Sequence, residues 1–183
     1  MNIKTEITPT DPFGTARTPV LKDYGHDLTD TDFKKRVLFV CSAGGHLSQL
    51  LQLRPWWEHH DRRWVTYDAS DAQAKLVDED IVAAHFPTTR SVSNTLRNIP
   101  LAWKELKRWR PDVVVSNGAG VAVPFFMVAR AMRIPTVYIE VYDRVDSQTL
   151  TGKLCQPFSS LFLAQWPEQQ KLYADSKLIG PLY

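Results

Sequence analysis

The most informative segment of the chain is Arg36-Val37-Leu38-Phe39-Val40-Cys41-Ser42-Ala43-Gly44-Gly45-His46. Its first half is apolar and rich in β-branched and aromatic residues, which is typical of a buried strand in a parallel sheet. The apolar run ends in a turn of small residues, after which Leu47, Leu50 and Leu51 recur at helical spacing. The sequence therefore predicts a strand, a glycine turn and a helix, in that order.

Such a junction is suited to binding an anion. Backbone N–H groups at the start of a helix point towards a bound anion, and glycines let the backbone approach phosphate oxygens where a β-carbon would collide. His46 stands at the start of the predicted helix, and histidine titrates near neutrality. We therefore expect chemistry on a substrate that carries phosphate.

Composition limits the possible classes of protein. The chain has 183 residues, is 44% apolar and 23% charged, and carries 22 Lys+Arg against 20 Asp+Glu. These values predict one globular domain and give no support for a nucleic-acid partner. Cys41 and Cys155 do not make a disulfide framework. Because no apolar run approaches the roughly 18 residues of a spanning helix, and no signal peptide is recognisable, we expect any membrane contact to be peripheral.

Strand-like and helix-like segments alternate after a polar lead-in. Residues 1–34 are rich in Thr, Pro and Asp and are predicted to be disordered. The predicted strands are 36–41, 64–67, 81–86, 112–116, 136–139 and 160–164. The predicted helices are 47–60, interrupted or bent at Pro55, then 70–77, capped by Ser70 or Asp71, 93–110 and 121–133. This alternation predicts an α/β fold over residues 35–183, with a Rossmann-like parallel sheet flanked by helices.

A second glycine turn, Asn117-Gly118-Ala119-Gly120, follows the fourth predicted strand. In the common strand order the first and fourth strands flank the point where the order reverses, and ligands bind there. The two glycine turns are therefore expected to face one crevice, although these glycines also suit tight turns with no ligand. The dinucleotide fingerprint G-x-G-x-x-G and the P-loop lysine are absent, which disfavours nicotinamide and ATP chemistry.

Several separated motifs resemble the Alg14/PssD-like family. The turn at 42–46 resembles its S-x-G-G-H motif, and residues 111–120 with Val123-Pro124 resemble its second glycine turn. The C-terminal signature is matched by Ile139-Glu140, Arg144-Val145, residues 150–154 and Gln165-Trp166-Pro167. Members of this family are acceptor-side halves of split GT-B glycosyltransferases. Similarity to the peptidoglycan enzyme MurG implies the same architecture, a single N-terminal-type half.

The resemblance also implies partners. A lipid-linked diphosphate sugar would be the acceptor, and a separate Alg13/PssE-like chain would hold the UDP-sugar, UDP-GlcNAc or a related donor. The isolated chain is then expected to be inactive, and the complex to lie peripherally at the cytoplasmic face of the membrane. Eukaryotic members carry an N-terminal membrane span that this sequence lacks. Family members often have Ser or Ala after the position of Glu140, where this chain has Val141-Tyr142-Asp143, so the identity of the acceptor sugar stays open.

Inverting sugar transfer needs a base for the acceptor hydroxyl and stabilisation of the leaving diphosphate. We predict His46 as the base and Glu140 as its orienting partner or an alternative base. The alternatives are that His46 only hydrogen-bonds the backbone at the helix start, and that Glu140 forms a salt bridge with Arg144. No metal set and no cofactor are expected. The residues predicted to bind substrate are Ser42, Gly44, Gly45, Asn117, Gly118, Gly120, Arg90 and Arg144.

The predicted helix 93–110 is amphipathic. Its apolar stripe consists of Leu96, Ile99, Trp103 and Leu106, and its cations are Arg97, Lys104, Lys107, Arg108 and Arg110. A basic amphipathic helix with Trp is suited to an anionic membrane surface, but such a stripe also commonly packs on a sheet.

Two other functions remain open from the sequence. The chain could be a non-catalytic docking subunit that recruits an Alg13/PssE-like catalytic partner to the membrane, in which case His46 and Glu140 would be dispensable. It could also be a stand-alone nucleotide-binding enzyme, which the missing dinucleotide fingerprint makes less favoured.

Overall fold

Seven parallel strands form one sheet in the computed structural model, which describes residues 34–88 and 91–182. Strands β1–β7 are Arg36–Val40, Asp61–Thr66, Ile81–Ala83, Val113–Ser116, Thr136–Ile139, Leu161–Ala164 and Lys177–Leu178. Within the same residues, helices α1–α7 are Gly45–Leu51, Arg54–Trp57, Ser70–Lys75, Val92–Trp109, Ala122–Ala131, Leu150–Cys155 and Pro167–Leu172. Residues 1–33, and with them nearly all of the segment predicted to be disordered, lie outside the described residues, as does Arg90.

The strand order is β3-β2-β1-β4-β5-β6-β7. The order reverses between β1 and β4, which pair in parallel with Val37 opposite Val113 and Val40 opposite Ser116. The two glycine turns follow these strands directly and therefore leave the same edge of the sheet side by side. The predicted Rossmann-like α/β fold is confirmed.

Both faces of the sheet are covered, and β1 shows how its sequence achieves this. Leu38 and Val40 point to a core that α4 and α5 complete, while Val37 and Phe39 point to a second core under α1 and α2. Side chains alternate between the faces of a strand, so a continuous apolar run is what a strand buried on both sides requires. All four side chains are fully buried.

Most predicted elements are present, and their ends are shifted by a few residues. The predicted helix 47–60 is divided into α1 and α2, as Pro55 led us to expect, and the break falls just before this proline. Neither Ser70 nor Asp71 caps α3, because α3 begins at Ser70 and Ala69 takes the N-cap position without a side-chain hydrogen bond. Helix α6 and the two-residue strand β7 were not predicted.

Helix α4 divides its apolar stripe between the core and the surface. Leu106 is fully buried and Ile99 is partly buried against the core, whereas Leu96 and Trp103 are 56% and 51% exposed. An ion pair of 3.2 Å between Arg63 of β2 and Glu105 of α4, both largely buried, holds the inner face on the sheet. Within residues 34–88 and 91–182, no helix combines the length and hydropathy that a membrane crossing requires.

Candidate functional site

His46 and the second glycine turn lie in direct contact at the carboxyl edge of the sheet. The imidazole Nδ1 of His46 is 3.0 Å from the backbone oxygen of Asn117, and the Asn117 side-chain amide donates to the backbone oxygen of His46 at 2.8 Å. These reciprocal bonds join the start of α1 to the end of β4. The two glycine turns are therefore adjacent at this edge of the sheet, and their facing one ligand crevice stays a prediction.

The contact with Asn117 defines which nitrogen of His46 can accept a proton. A backbone oxygen only accepts hydrogen bonds, so Nδ1 carries the hydrogen and Nε2 keeps its lone pair. Burial lowers the pKa of His46 below its ordinary value of 6.5, while the bond to the Asn117 backbone and the charge of Asp143 act in the opposite direction. The half-buried imidazole is therefore neutral near pH 7, the form that a general base requires.

Two glycines of the second turn are required by close approach. A β-carbon at Gly118 would lie 2.8 Å from the Tyr138 hydroxyl and 3.4 Å from the His46 ring, and Gly118 has a φ of +111°. At Gly120 it would lie 2.9 Å from the Thr88 side chain. The backbone N–H groups of Ala119 and Gly120 have no acceptor within the described part of the chain. The turn can therefore donate to an anion.

The first glycine turn already holds a carboxylate of the protein itself. The N–H of Gly44 donates to Asp71 at 2.7 Å, and Lys75 lies 2.8 Å from the Ser48 hydroxyl and 3.9 Å from Asp71. Gly45 is exposed, with open space where a β-carbon would stand. One backbone N–H of this turn is therefore occupied by the Asp71 carboxylate. The part of the turn left for a substrate is Gly45 and the half-buried Ser42.

Glu140 lies in a separate buried network. Its carboxylate accepts hydrogen bonds from the Tyr173 hydroxyl, from Thr149 at 3.1 Å and from the backbone N–H of Val141 at 2.9 Å. Burial raises the pKa of Glu140 above its ordinary value of 4.5, and these hydrogen bonds oppose the rise. Gly152 packs so closely on this network that a β-carbon would lie 2.5 Å from the carboxylate.

The structure does not pair Glu140 with His46, whose Nδ1 is bonded to Asn117. Nor does Glu140 pair with Arg144, whose exposed guanidinium has no ion-pair partner among the described residues. The site therefore brings together His46, Gly45 and the turn 117–120. Glu140 lies apart from these residues, directly after β5, and Arg90 lies outside the described residues.

Sequence reasoning missed two residues at this site, Asp143 and Tyr138. The charge of Asp143 acts on His46, and the Tyr138 hydroxyl lies against Gly118. Tyr138 lies within the predicted strand 136–139, but no pattern in the sequence connects it to Gly118 or Asp143 to His46. Within residues 34–88 and 91–182, no group of three or more His, Cys, Asp or Glu side chains is placed to hold a metal ion.

Comparison with protein families gives one match over nearly all of the described residues. The family described as "Oligosaccharide biosynthesis protein Alg14 like" matches residues 34–182. The UDP-N-acetylglucosamine transferase subunit ALG14 of Rattus norvegicus is 26% identical over 175 residues, which cover 79% of this chain and 81% of the relative. The alg14 subunit of Schizosaccharomyces pombe is also 26% identical and covers 81% and 83% of the two chains.

Solved structures with a similar fold include MurG of Acinetobacter baumannii. Its TM-score is 0.65 at 18% identity, and the match covers 79% of this chain and 44% of the MurG chain. A UDP-N-acetylglucosamine 2-epimerase from Rickettsia bellii has a TM-score of 0.61 at 14% identity, covering 75% and 40%. At such identities the likeness concerns the fold alone. The chain spans less than half the length of either protein, and its fold is that of one Rossmann-like half.

Proposed function

Since this chain belongs to the Alg14 family of oligosaccharide biosynthesis proteins, we propose that it is the acceptor-binding subunit of a two-chain inverting GT-B glycosyltransferase. The donor is a UDP-sugar, UDP-GlcNAc or a related one, because the relatives are named as UDP-N-acetylglucosamine transferase subunits. The acceptor is a lipid-linked diphosphate sugar. The donor is held mainly by an Alg13/PssE-like partner chain.

The observation that carries this proposal is the contact between His46 and the second glycine turn. The proposal is supported by the hydrogen bond from Nδ1 of His46 to Asn117, which leaves the lone pair of Nε2 for a proton. Ala119 and Gly120 follow Asn117 in the same turn, and their backbone N–H groups have no acceptor among the described residues. A base next to an anion-binding turn is what transfer to a sugar diphosphate needs, because the reacting hydroxyl and the diphosphate belong to the same acceptor.

In the proposed reaction the acceptor hydroxyl attacks the anomeric carbon of the donor sugar. The new C–O bond forms as the bond to UDP breaks, and UDP leaves with the electron pair. The proton of the hydroxyl passes to Nε2 of His46. Asn117 holds the ring during this transfer. Arg144 supplies positive charge for the acceptor diphosphate, and we predict the same role for Arg90.

A partner chain is needed because a GT-B site lies between two Rossmann-like domains. The described residues form one such domain, and the chain covers 44% of the MurG chain it resembles. We propose that the isolated chain does not transfer sugar, since one half offers a base and an anion site but no closed cleft that excludes water.

Membrane contact is proposed through the α4 ridge, defined as the exposed apolar residues Val92, Leu96 and Trp103. They are 74%, 56% and 51% exposed and lie on the side of α4 away from the sheet. Exposed cations flank them on the same helix, namely Arg97, Lys104, Lys107 and Arg108. Apolar side chains bordered by cations suit a peripheral helix at an anionic surface, such as the cytoplasmic leaflet.

The test is transfer by the reconstituted complex. The full chain is co-expressed with an Alg13/PssE-like chain and assayed with labelled UDP-sugars on lipid-linked diphosphate acceptors, beside each chain alone. We expect transfer only when both chains are present. Transfer by this chain alone would contradict the proposal. Unchanged transfer after His46→Ala would instead favour the non-catalytic docking subunit, whose surfaces recruit a catalytic partner.

A further inference from the structure

The loop after β5 is fixed through its backbone by buried side chains. Two glutamines and one tryptophan donate to backbone oxygens of residues 140–144, which we call the clamped loop. Gln165 donates to Glu140 at 2.8 Å, Gln169 to Val141 at 2.7 Å and to Arg144 at 2.9 Å, and Trp166 to Tyr142 at 2.8 Å. Both glutamines are almost fully buried.

A third glutamine attaches the clamped loop to the helix that carries His46. The backbone N–H of Tyr142 donates to the side-chain oxygen of Gln49 at 3.3 Å. Gln49 stands three residues after His46 on α1, so the two side chains leave neighbouring positions of one helix face. Asp143 follows Tyr142 directly, and the backbone on both sides of it is held. The exposed Asp143 is thereby held in a loop that is bonded to the helix carrying His46.

We infer that Asp143, and not Glu140, is the carboxylate that interacts electrostatically with His46. Asp143 is a positioning residue: it stabilises the imidazolium that His46 becomes on taking the acceptor proton. Glu140 instead fixes the start of the clamped loop, because its carboxylate accepts hydrogen bonds from Tyr173, Thr149 and Val141. This inference rests on the proposed function in one respect, that His46 is the base.

The charges around His46 agree with this assignment. The charge of Asp143 raises the pKa of His46, against the larger lowering by burial. The charged groups of α3 that approach α1, Asp71 and Lys75, bond to Gly44 and Ser48. On β5 the Tyr138 hydroxyl faces the same turn, and burial keeps its pKa well above 10, so it stays neutral. Asn117 contributes only neutral groups.

A carboxylate near the imidazole changes the chemistry in a defined way. Proton transfer to Nε2 creates a positive charge in a half-buried site, and a nearby negative charge offsets the cost of burying it. Because Asp143 is exposed, the interaction is screened by solvent and salt and is modest in size. A modest effect is what a positioning residue, as opposed to the base itself, should show.

Histidine side-chain NMR of the full ¹⁵N-labelled chain tests the inference without any need for transferase activity. His46 is assigned by the signal lost in His46→Gln, and its titration midpoint is then measured over about pH 5 to 8. We expect Asp143→Asn to move the midpoint to lower pH and Asp143→Glu to preserve it. Asp146→Asn is the matched control, since it removes one exposed carboxylate from the same loop region, and it should change nothing.

An unchanged midpoint in Asp143→Asn, or an equal shift in Asp146→Asn, would overturn the inference. In the reconstituted complex, Asp143→Asn should lower the plateau of kcat in its pH profile by about two- to fivefold. The acid limb of the kcat/KM profile should move to lower pH by as much as the His46 midpoint moves in the NMR titration. If the midpoint moves but His46→Ala leaves transfer intact, the proposed function fails while the electrostatic pairing stands. The two failures are therefore distinguishable.

Discussion

His46 and Asn117 hold each other by two hydrogen bonds that run in opposite directions at the edge of the sheet where β1 and β4 end. The imidazole Nδ1 donates to the Asn117 backbone oxygen, and the Asn117 amide donates to the His46 backbone oxygen. Residues 71 positions apart in the sequence thus fix the orientation of one imidazole. The Asn117 side chain is fully buried, and its own oxygen has no partner within the described residues.

Replacing Asn117 by Ala should therefore loosen the imidazole. We expect a loss of about 1–2 kcal/mol in the free energy of unfolding, because one buried hydrogen bond disappears. We also expect about a tenfold lower kcat in the reconstituted complex, because the base is no longer aligned. Gln73→Ala removes a hydrogen bond at the surface and serves as the control. Unfolding curves and steady-state kinetics measure the two effects, and wild-type kcat in Asn117→Ala would contradict the alignment role.

Gly152→Ala should destabilise the protein although Ala favours helices. The added β-carbon would lie 2.5 Å from both the Glu140 carboxylate and the Tyr173 hydroxyl. Overpacking of this kind costs about 1–3 kcal/mol, more than the roughly 1 kcal/mol gained in helix propensity. Gly45→Ala is the matched comparison for stability, because its β-carbon meets open space. Gly152→Ala should lower the midpoint of urea unfolding, whereas Gly45→Ala should leave it unchanged or raise it. Equal midpoints for the two variants would contradict close packing at Gly152.

The buried carboxylate predicts a pH dependence of stability. Because the pKa of Glu140 is raised in the folded state above its ordinary value of 4.5, the folded chain binds more protons there than the unfolded chain. Its contribution to stability is complete below about pH 4.5 and is lost as the pH rises through the folded pKa. The pKa of His46 is lowered in the folded state, so the unfolded chain binds more protons at this residue below pH 6.5. The contribution of His46 to stability therefore falls as the pH falls, opposite to that of Glu140.

Glu140→Gln isolates the first effect. The difference in unfolding free energy between Glu140→Gln and wild type should shift in favour of the variant as the pH rises above about 4.5. The same series on His46→Gln separates the histidine contribution. A pH-independent difference between Glu140→Gln and wild type would show that the carboxylate has an ordinary pKa.

The α4 ridge predicts salt-sensitive binding to anionic vesicles. Replacing Leu96 and Trp103 together by Ser should abolish sedimentation with such vesicles, because the apolar contact is lost while the cations remain. Val77→Ser is the control, since Val77 is 75% exposed and lies outside the ridge. Wild-type binding by the double variant, or equal binding to neutral vesicles, would contradict a membrane role for α4.

The main architecture follows from local patterns in the sequence. The apolar run at 36–41, the alternation of strands and helices and the two glycine turns all predict features that depend on near neighbours. Strand β7 has two residues, too few to show the alternation of side chains that identifies a strand. Helix α6 contains Gly152, which lowers its helix propensity, so its formation depends on packing around Glu140.

The finer features of the site depend on contacts between distant residues. The Asp71 carboxylate bonds Gly44 across 27 positions, and Gln49 bonds Tyr142 across 93. No period or motif of a single sequence encodes such pairs. The prediction of His46 could be made because it stands at a recognisable turn. The expected pairing of His46 with Glu140 is not found, because burial and three hydrogen bonds commit that carboxylate to its own loop.

The role of His46 as general base is tested by the transfer rate of the reconstituted two-chain complex carrying His46→Ala. We expect a loss of at least about a hundredfold in kcat, the usual effect of removing a general base, with complex formation intact and with exposed His59→Ala unchanged. A loss of tenfold or less in His46→Ala, with the complex still formed, would contradict the account and leave this chain without a part in the chemistry.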